Sequence, residues 1–118
     1  MAGARLQALP ALTVEDIYAA LRDCFDPEVK LNLVDLGLIY DVAIEADPHA
    51  APSFPRQRVK VRMTLTTPQC PASGLIFEQV HNRLAAIQQV SRAEVDLVWE
   101  PKWTAHRISA AGRAQLGL

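Results

Sequence analysis

The chain has 118 residues, half of them hydrophobic, with 12 Lys and Arg against 13 Asp and Glu. That length supports one domain with a real core and excludes two ordinary ones. A net charge of −1 gives no general attraction to nucleic acid or to an anionic membrane, two cysteines exclude a disulfide framework, and no apolar run approaches a membrane span.

Residues 1–11 are small and Ala-rich without a sustained period, which predicts a flexible N-terminal arm ahead of a single domain over 12–118. Gln7 and Pro10 interrupt this stretch, so it does not read as a secretory signal. With two unpaired thiols, the expected setting is cytoplasmic. A helix is expected from Thr13, a capping residue, with Glu15 and Asp16 complementing the dipole. Val14, Ile17, Tyr18, Leu21 and Cys24 then fall on one face at helical spacing. Pro27 ends that helix.

From Leu38 to Glu45 the pattern alternates, with Leu38, Tyr40, Val42 and Ile44 on one side of a predicted strand. Residues 47–57 hold three prolines and read as a long, mobile loop. A second strand places Val59, Val61, Met63 and Leu65 on the core face and Arg58, Lys60, Arg62 and Thr64 on the wet one. Ile76, Phe77, Val80, Leu84 and Ile87 predict a helix of roughly five turns. A third strand follows, with Val95, Leu97 and Trp99 inward, and residues 105–116 read as a final helix stopped near Gly117.

The order is α-β-β-α-β-α. It predicts an α+β fold of two layers, a small three-stranded mixed sheet with helices on one face. The strand-helix-strand connection is long enough to join parallel neighbours.

Cys70 is the candidate for chemistry, as a functional thiol or as a small buried hydrophobe. It lies in Thr66-Thr67-Pro68-Gln69-Cys70-Pro71, between the second strand and the second helix, where a helix N-terminus would favour thiolate over thiol. Pro71 suits the first helical position. Asp26, Glu28 and Asp35 crowd carboxylates into one connecting segment, as metal ligands or as turn caps. Thr66 and Thr67 could bond the thiolate or cap the helix. Arg58, Lys60 and Arg62 form a positive stripe, a solvated face or a dock for an acidic partner. Trp99 and Trp103 are expected in the core. His49, His81 and His106 have no metal-ligand spacing and none is nominated as a base for Cys70, so no enzyme is expected.

Three ordered segments, Asp26-Pro27-Glu28, residues 32–40 (NLVDLGLIY) and residues 63–71 (MTLTTPQCP), resemble the metal-sulfur cluster biosynthesis family with its SufT-like and PaaD-like members. Residues 98–103 (VWEPKW) and the closing Leu116-Gly117 also fit, so the resemblance covers nearly everything from Thr13 onward. It implies an iron-sulfur protein maturation factor in which Cys70 is the functional thiol, supported by Asp26, Glu28, Asp35, Thr66 and Thr67. The absence of a cysteine-rich C-terminal extension favours a SufT-like over a PaaD-like role. The implied cargo is transient iron or an iron-sulfur cluster, and the implied partners are assembly proteins and client apoproteins. A cluster usually takes four protein ligands, mostly thiolates. One Cys70 per chain therefore points to a homodimer pooling two thiolates, to transient handling, or to an adaptor that docks components without metal.

Overall fold

A computed structural model describes residues 10–118; residues 1–9, most of the expected arm, lie outside the described residues. Helix α1 (Val14–Leu21) begins at a reciprocal cap. The Thr13 hydroxyl accepts the Asp16 N–H at 3.2 Å while the Asp16 carboxylate accepts the Thr13 N–H at 2.9 Å. Ile17, Ala20 and Leu21 face the core, whereas Val14, in the first turn, is exposed. Cys24 is buried as expected but lies past the end of α1, which stops at Leu21.

Strand β1 (Ile39–Ala46) pairs antiparallel with β2 (Gln57–Met63), and β2 pairs parallel with β3 (Val90–Leu97). The sheet order is β1-β2-β3, with β2 central. Helix α2 (Ser73–Ala85) makes the crossover between the parallel strands. A 3-10 turn (Ala105–Arg107) and helix α3 (Ala110–Leu116) complete the chain. The expected fold class and element order are therefore present.

Core residues come from every layer. Ile17 and Leu21 of α1, Val59, Val61 and Met63 of β2, and Ile76, Val80 and Leu84 of α2 are all essentially solvent-free. Leu31, Leu33 and Leu36 from the α1–β1 connection join them, so this long segment is packed on the core. Each such side chain contributes roughly 1.5–3 kcal/mol by leaving water.

Several expectations change. Ile39 pairs with Met63 and Asp41 with Arg62, so Tyr40 is an extra bulged residue rather than a core-facing one. Its hydroxyl donates to Pro101 O at 2.7 Å, and Arg107 stacks 4.5 Å from its ring centroid. Thr64, expected on the wet face, is fully buried just past the end of β2, with its N–H donating to Leu38 O. Helix α2 ends at Ala85 because the chain must turn into β3; Ile87 lies in that turn, where its carbonyl accepts the Val90 N–H. Leu97 and Trp99 are exposed, since β3 is an edge strand with a neighbour on one side only. The expected last helix is broken, because Ile108 and Ser109 are extended and Ser109 caps α3 by accepting the Gly112 N–H at 2.9 Å. Gly117 in left-handed geometry stops α3 as expected.

Candidate functional site

Cys70 lies on the loop that leaves the carboxyl end of central strand β2. Its N–H donates to Thr67 O at 3.2 Å and its carbonyl accepts the Ser73 N–H at 3.2 Å, which folds the loop into consecutive turns. The helix itself begins at Ser73 behind Ala72, which makes no side-chain cap. The thiol is thus set before the helix start, and Pro71 is not the first helical residue. The reason is local: turns closed at Thr67 and Cys70 use up the residues expected to open α2. Cys70 is 6% exposed and belongs to the same buried core cluster as Leu65 and Ile76.

The second component arrives from 42 residues away. Cys70 Sγ lies 4.0 Å from Glu28 Oε1, a long sulfur hydrogen bond with the thiol donating. Asp26 makes that approach possible. Buried at 2% exposure, its Oδ1 accepts the N–H groups of Glu28 at 2.8 Å and Val29 at 3.2 Å. Its own N–H donates to Leu31 O, its carbonyl accepts the Lys30 N–H, and Lys30 takes a left-handed φ of 62° to close the turn. Asp26 therefore shapes residues 26–31 into a rigid turn that holds Glu28 over Cys70. Gln79 of α2 clasps the same turn, its Nε2 donating to Phe25 O at 2.9 Å and its Oε1 accepting the Phe25 N–H at 3.3 Å. Gln79 was not visible as a site residue in the sequence, because only the packing of α2 against this turn gives it a role.

The other candidates are placed elsewhere. Asp35 accepts from Asn32 Nδ2 at 2.7 Å and from Ser109 Oγ at 2.8 Å, which pins the start of α3 to the turn before β1. These two bonds, Asn32 first, hold its carboxyl below the usual range. Thr67 donates to Gln69 Oε1 at 3.1 Å and accepts the Gln69 N–H, a local turn rather than a helix cap. Thr66 lines a shallow groove of about 170 Å³ with Leu65, Pro68, Trp99, Lys102 and Trp103. Trp103 fills its core role and donates Nε1–H to Leu36 O at 2.8 Å, whereas Trp99 is exposed.

Arg58, Lys60 and Arg62 do lie on the open sheet face, but acids stand beside them. Arg58 pairs with Glu45 at 3.0 Å and Lys60 with Asp96 at 3.2 Å, both exposed to water, while Arg62 is in register with Asp41 and Asp96. The stripe is a column within a mixed-charge face.

Among the described residues no three His, Cys, Asp or Glu side chains come together to hold a metal ion. One thiol and one carboxylate supply two donors of the four that a cluster wants. No helix among the described residues is long and apolar enough to cross a membrane.

A thiol-carboxylate pair at the carboxyl end of the central strand of a three-stranded α+β sheet is what this fold presents. The model of an iron-sulfur cluster assembly protein family matches residues 14–97, and the chain belongs to that family. It is 39% identical to an Fe-S protein maturation auxiliary factor of Porphyromonas gingivalis, over 89% of this chain and 91% of that one. It is 34% identical to the Fe-S protein maturation auxiliary factor SufT of Staphylococcus aureus, over 79% and 96%. A crystal structure of a domain of unknown function, DUF59, from Bacillus anthracis superposes with a TM-score of 0.74 at 33% identity, covering 88% of this chain and 91% of that one.

Proposed function

We propose that this protein is an iron-sulfur protein maturation factor that holds iron or a nascent cluster transiently at Cys70 and passes it to a client, without catalytic turnover. The observation that carries this reading is the 4.0 Å approach of Glu28 Oε1 to Cys70 Sγ, set by the Asp26 turn. Iron binds thiolate, so the S–H proton must leave as the metal arrives. Glu28 is the acceptor within reach; it takes the S–H proton and passes it to water, after which its carboxylate serves as an oxygen ligand. Two ligands hold metal weakly, which suits transfer. The remaining ligands come from a second copy of the chain or from the thiols of an assembly protein or client.

A second reading follows from the 6% exposure of Cys70. In it the Cys70 loop and the sheet face dock assembly components with no metal bound. Anaerobic reconstitution with iron and sulfide separates the two. Visible absorption and iron content that survive Cys24→Ala and vanish with Cys70→Ala support the carrier; no chromophore in wild type or either variant moves the assignment to the adaptor.

A further inference from the structure

Building on the carrier reading of Cys70, we propose that an apolar seam leading to the thiol is the surface on which a second copy of this chain docks once metal is bound, bringing its own Cys70 and Glu28 to complete the coordination. Three contacts fix the seam. Asp23 bonds Arg83 at 3.0 Å, the Phe25 backbone bonds the Gln79 amide at 2.9 and 3.3 Å, and Glu28 meets Cys70 at 4.0 Å. Numbers rise on one side as they fall on the other, so residues 23–28 run antiparallel to α2 and the seam between them ends at the thiol. Leu75 stands one helical turn before Gln79 on the same side of α2, beside residues 26–27. It is 54% exposed and Phe25 is 44% exposed; apart from Leu118 at the chain end, they are the two most exposed large apolar side chains among the described residues. Pro27 and Pro71 are exposed along the same stretch. Single exposed apolar residues are ordinary, but a contiguous group at a candidate thiol marks an interaction surface.

Ligand count and charge select the occupant. Each chain offers one thiol and one carboxylate at the end of the seam, and two chains offer the four donors a cluster takes, with no third component. A two-fold axis along the seam sets Leu75 against its own copy, apolar on apolar, and brings thiol to thiol. The same axis sets Glu28 against Glu28, a like-charge contact that opposes pairing until a bound cation lies between the carboxylates. The nearest basic group on α2, Arg83, is held by Asp23 and does not neutralise them. Pairing is therefore coupled to metal. Cys70 keeps 6% exposure at the seam's end, and Glu28, itself exposed, is the side chain that shifts to admit the metal.

The test is anaerobic analytical ultracentrifugation of the full chain over a range of concentrations, before and after loading with iron and sulfide, with iron content measured on every sample. Leu75→Lys and Phe25→Ser alter the seam without touching the thiol or the carboxylate. Leu97→Ser, which removes an apolar side chain 37% exposed on β3, is the control. Loaded wild type and Leu97→Ser are expected to dimerise alike, and both seam variants to associate at least about tenfold more weakly, the scale of one lost interface anchor. Ferrous iron binding to the dilute chain, read by chelator competition, is expected to match the wild type in both seam variants. A loaded wild type that stays monomeric, seam variants that dimerise as tightly as the wild type, a control weakened as much as they are, or a dimer already present without metal would each overturn the seam while leaving iron at Cys70. No iron bound by the wild type would remove the carrier reading and the seam together. Metal-free thermal melts of the variants that match the wild type establish that the fold is intact.

Discussion

Cys24 and Cys70 are both buried thiols, and their neighbours part them. Burial pushes Cys24 above the usual thiol range, with Arg83 partly opposing and Asp23 adding to the shift. A raised thiol favours the native state at low pH, and that contribution fades as pH rises through the folded value. Cys24 is therefore a core side chain. Cys70 instead has Glu28 against its sulfur. Glu28→Gln keeps the shape but removes the proton acceptor and the charged oxygen. It is expected to weaken iron binding about tenfold, by analogy with the loss of one supporting group at a metal site, as read by competition with a coloured chelator. An unchanged affinity would remove Glu28 from the site. At Asp35 the sign is opposite. Its carboxyl is held low, so its bonds to Asn32 and Ser109 stabilise above the unfolded value of 3.8 and are lost as pH falls through the folded one. Asp35→Asn should cost about 1–2 kcal/mol at neutral pH, with the difference from wild type shrinking in urea melts below pH 4. A constant difference would show that charge is not what Asp35 contributes.

At the scale of elements, the α1–β1 connection does more than link. It supplies four core leucines (Leu31, Leu33, Leu36 and Leu38), the Asp26 turn over Cys70, and the seat for the C-terminal segment. Gly37 in that connection has φ of 82°, and an added Cβ would sit 2.6 Å from Arg107 Cβ and against the Arg107 backbone. Gly37→Ala is expected to cost at least about 2 kcal/mol, from left-handed strain plus a clash with backbone. Thermal melts would report it, and a change within about 0.5 kcal/mol would mean that the 105–107 turn yields readily. The turn of residues 26–31 also covers the thiol. Native-state labelling should therefore be slow at Cys70 and slower still at Cys24; fast labelling of Cys24 would contradict its place in the core. The sequence showed Cys70 between strand and helix, but the two turns that delay α2 to Ser73 are closed by backbone bonds that side-chain periodicity does not encode.

For the whole molecule, helices cover one face of the sheet and leave the other to water. On that open face an acidic column on β1, Asp41 and Glu45, runs beside the basic column on β2, with Asp96, Glu94 and Arg92 on β3. Charges of both signs neutralise one another here, so the face offers no single-sign field to an acidic partner. On the proposed carrier reading, a second copy of the chain is one source of the two missing cluster ligands. Reconstitution with iron and sulfide is expected to shift the wild type from monomer to dimer mass in light scattering, with Cys70→Ala remaining monomeric. A loaded protein that stays monomeric would assign the missing ligands to small thiols or to the client.

The element order, the α+β class and the core faces of α1, β2 and α2 were legible in the sequence, because caps, prolines and apolar spacing are local signals. The candidate thiol was legible for the same reason: Cys70 stands in a Pro-flanked loop between two clear periods. Which carboxylate meets it was not. Asp26, Glu28 and Asp35 look alike along the chain; Asp26 caps its own turn through local bonds, whereas only tertiary packing brings Glu28 to the sulfur across 42 residues and gives Asp35 to the start of α3. The Tyr40 bulge, the break at Ile108–Ser109 and the burial of Thr64 were decided in the same way, by contacts between segments distant in sequence whose energies no local pattern carries.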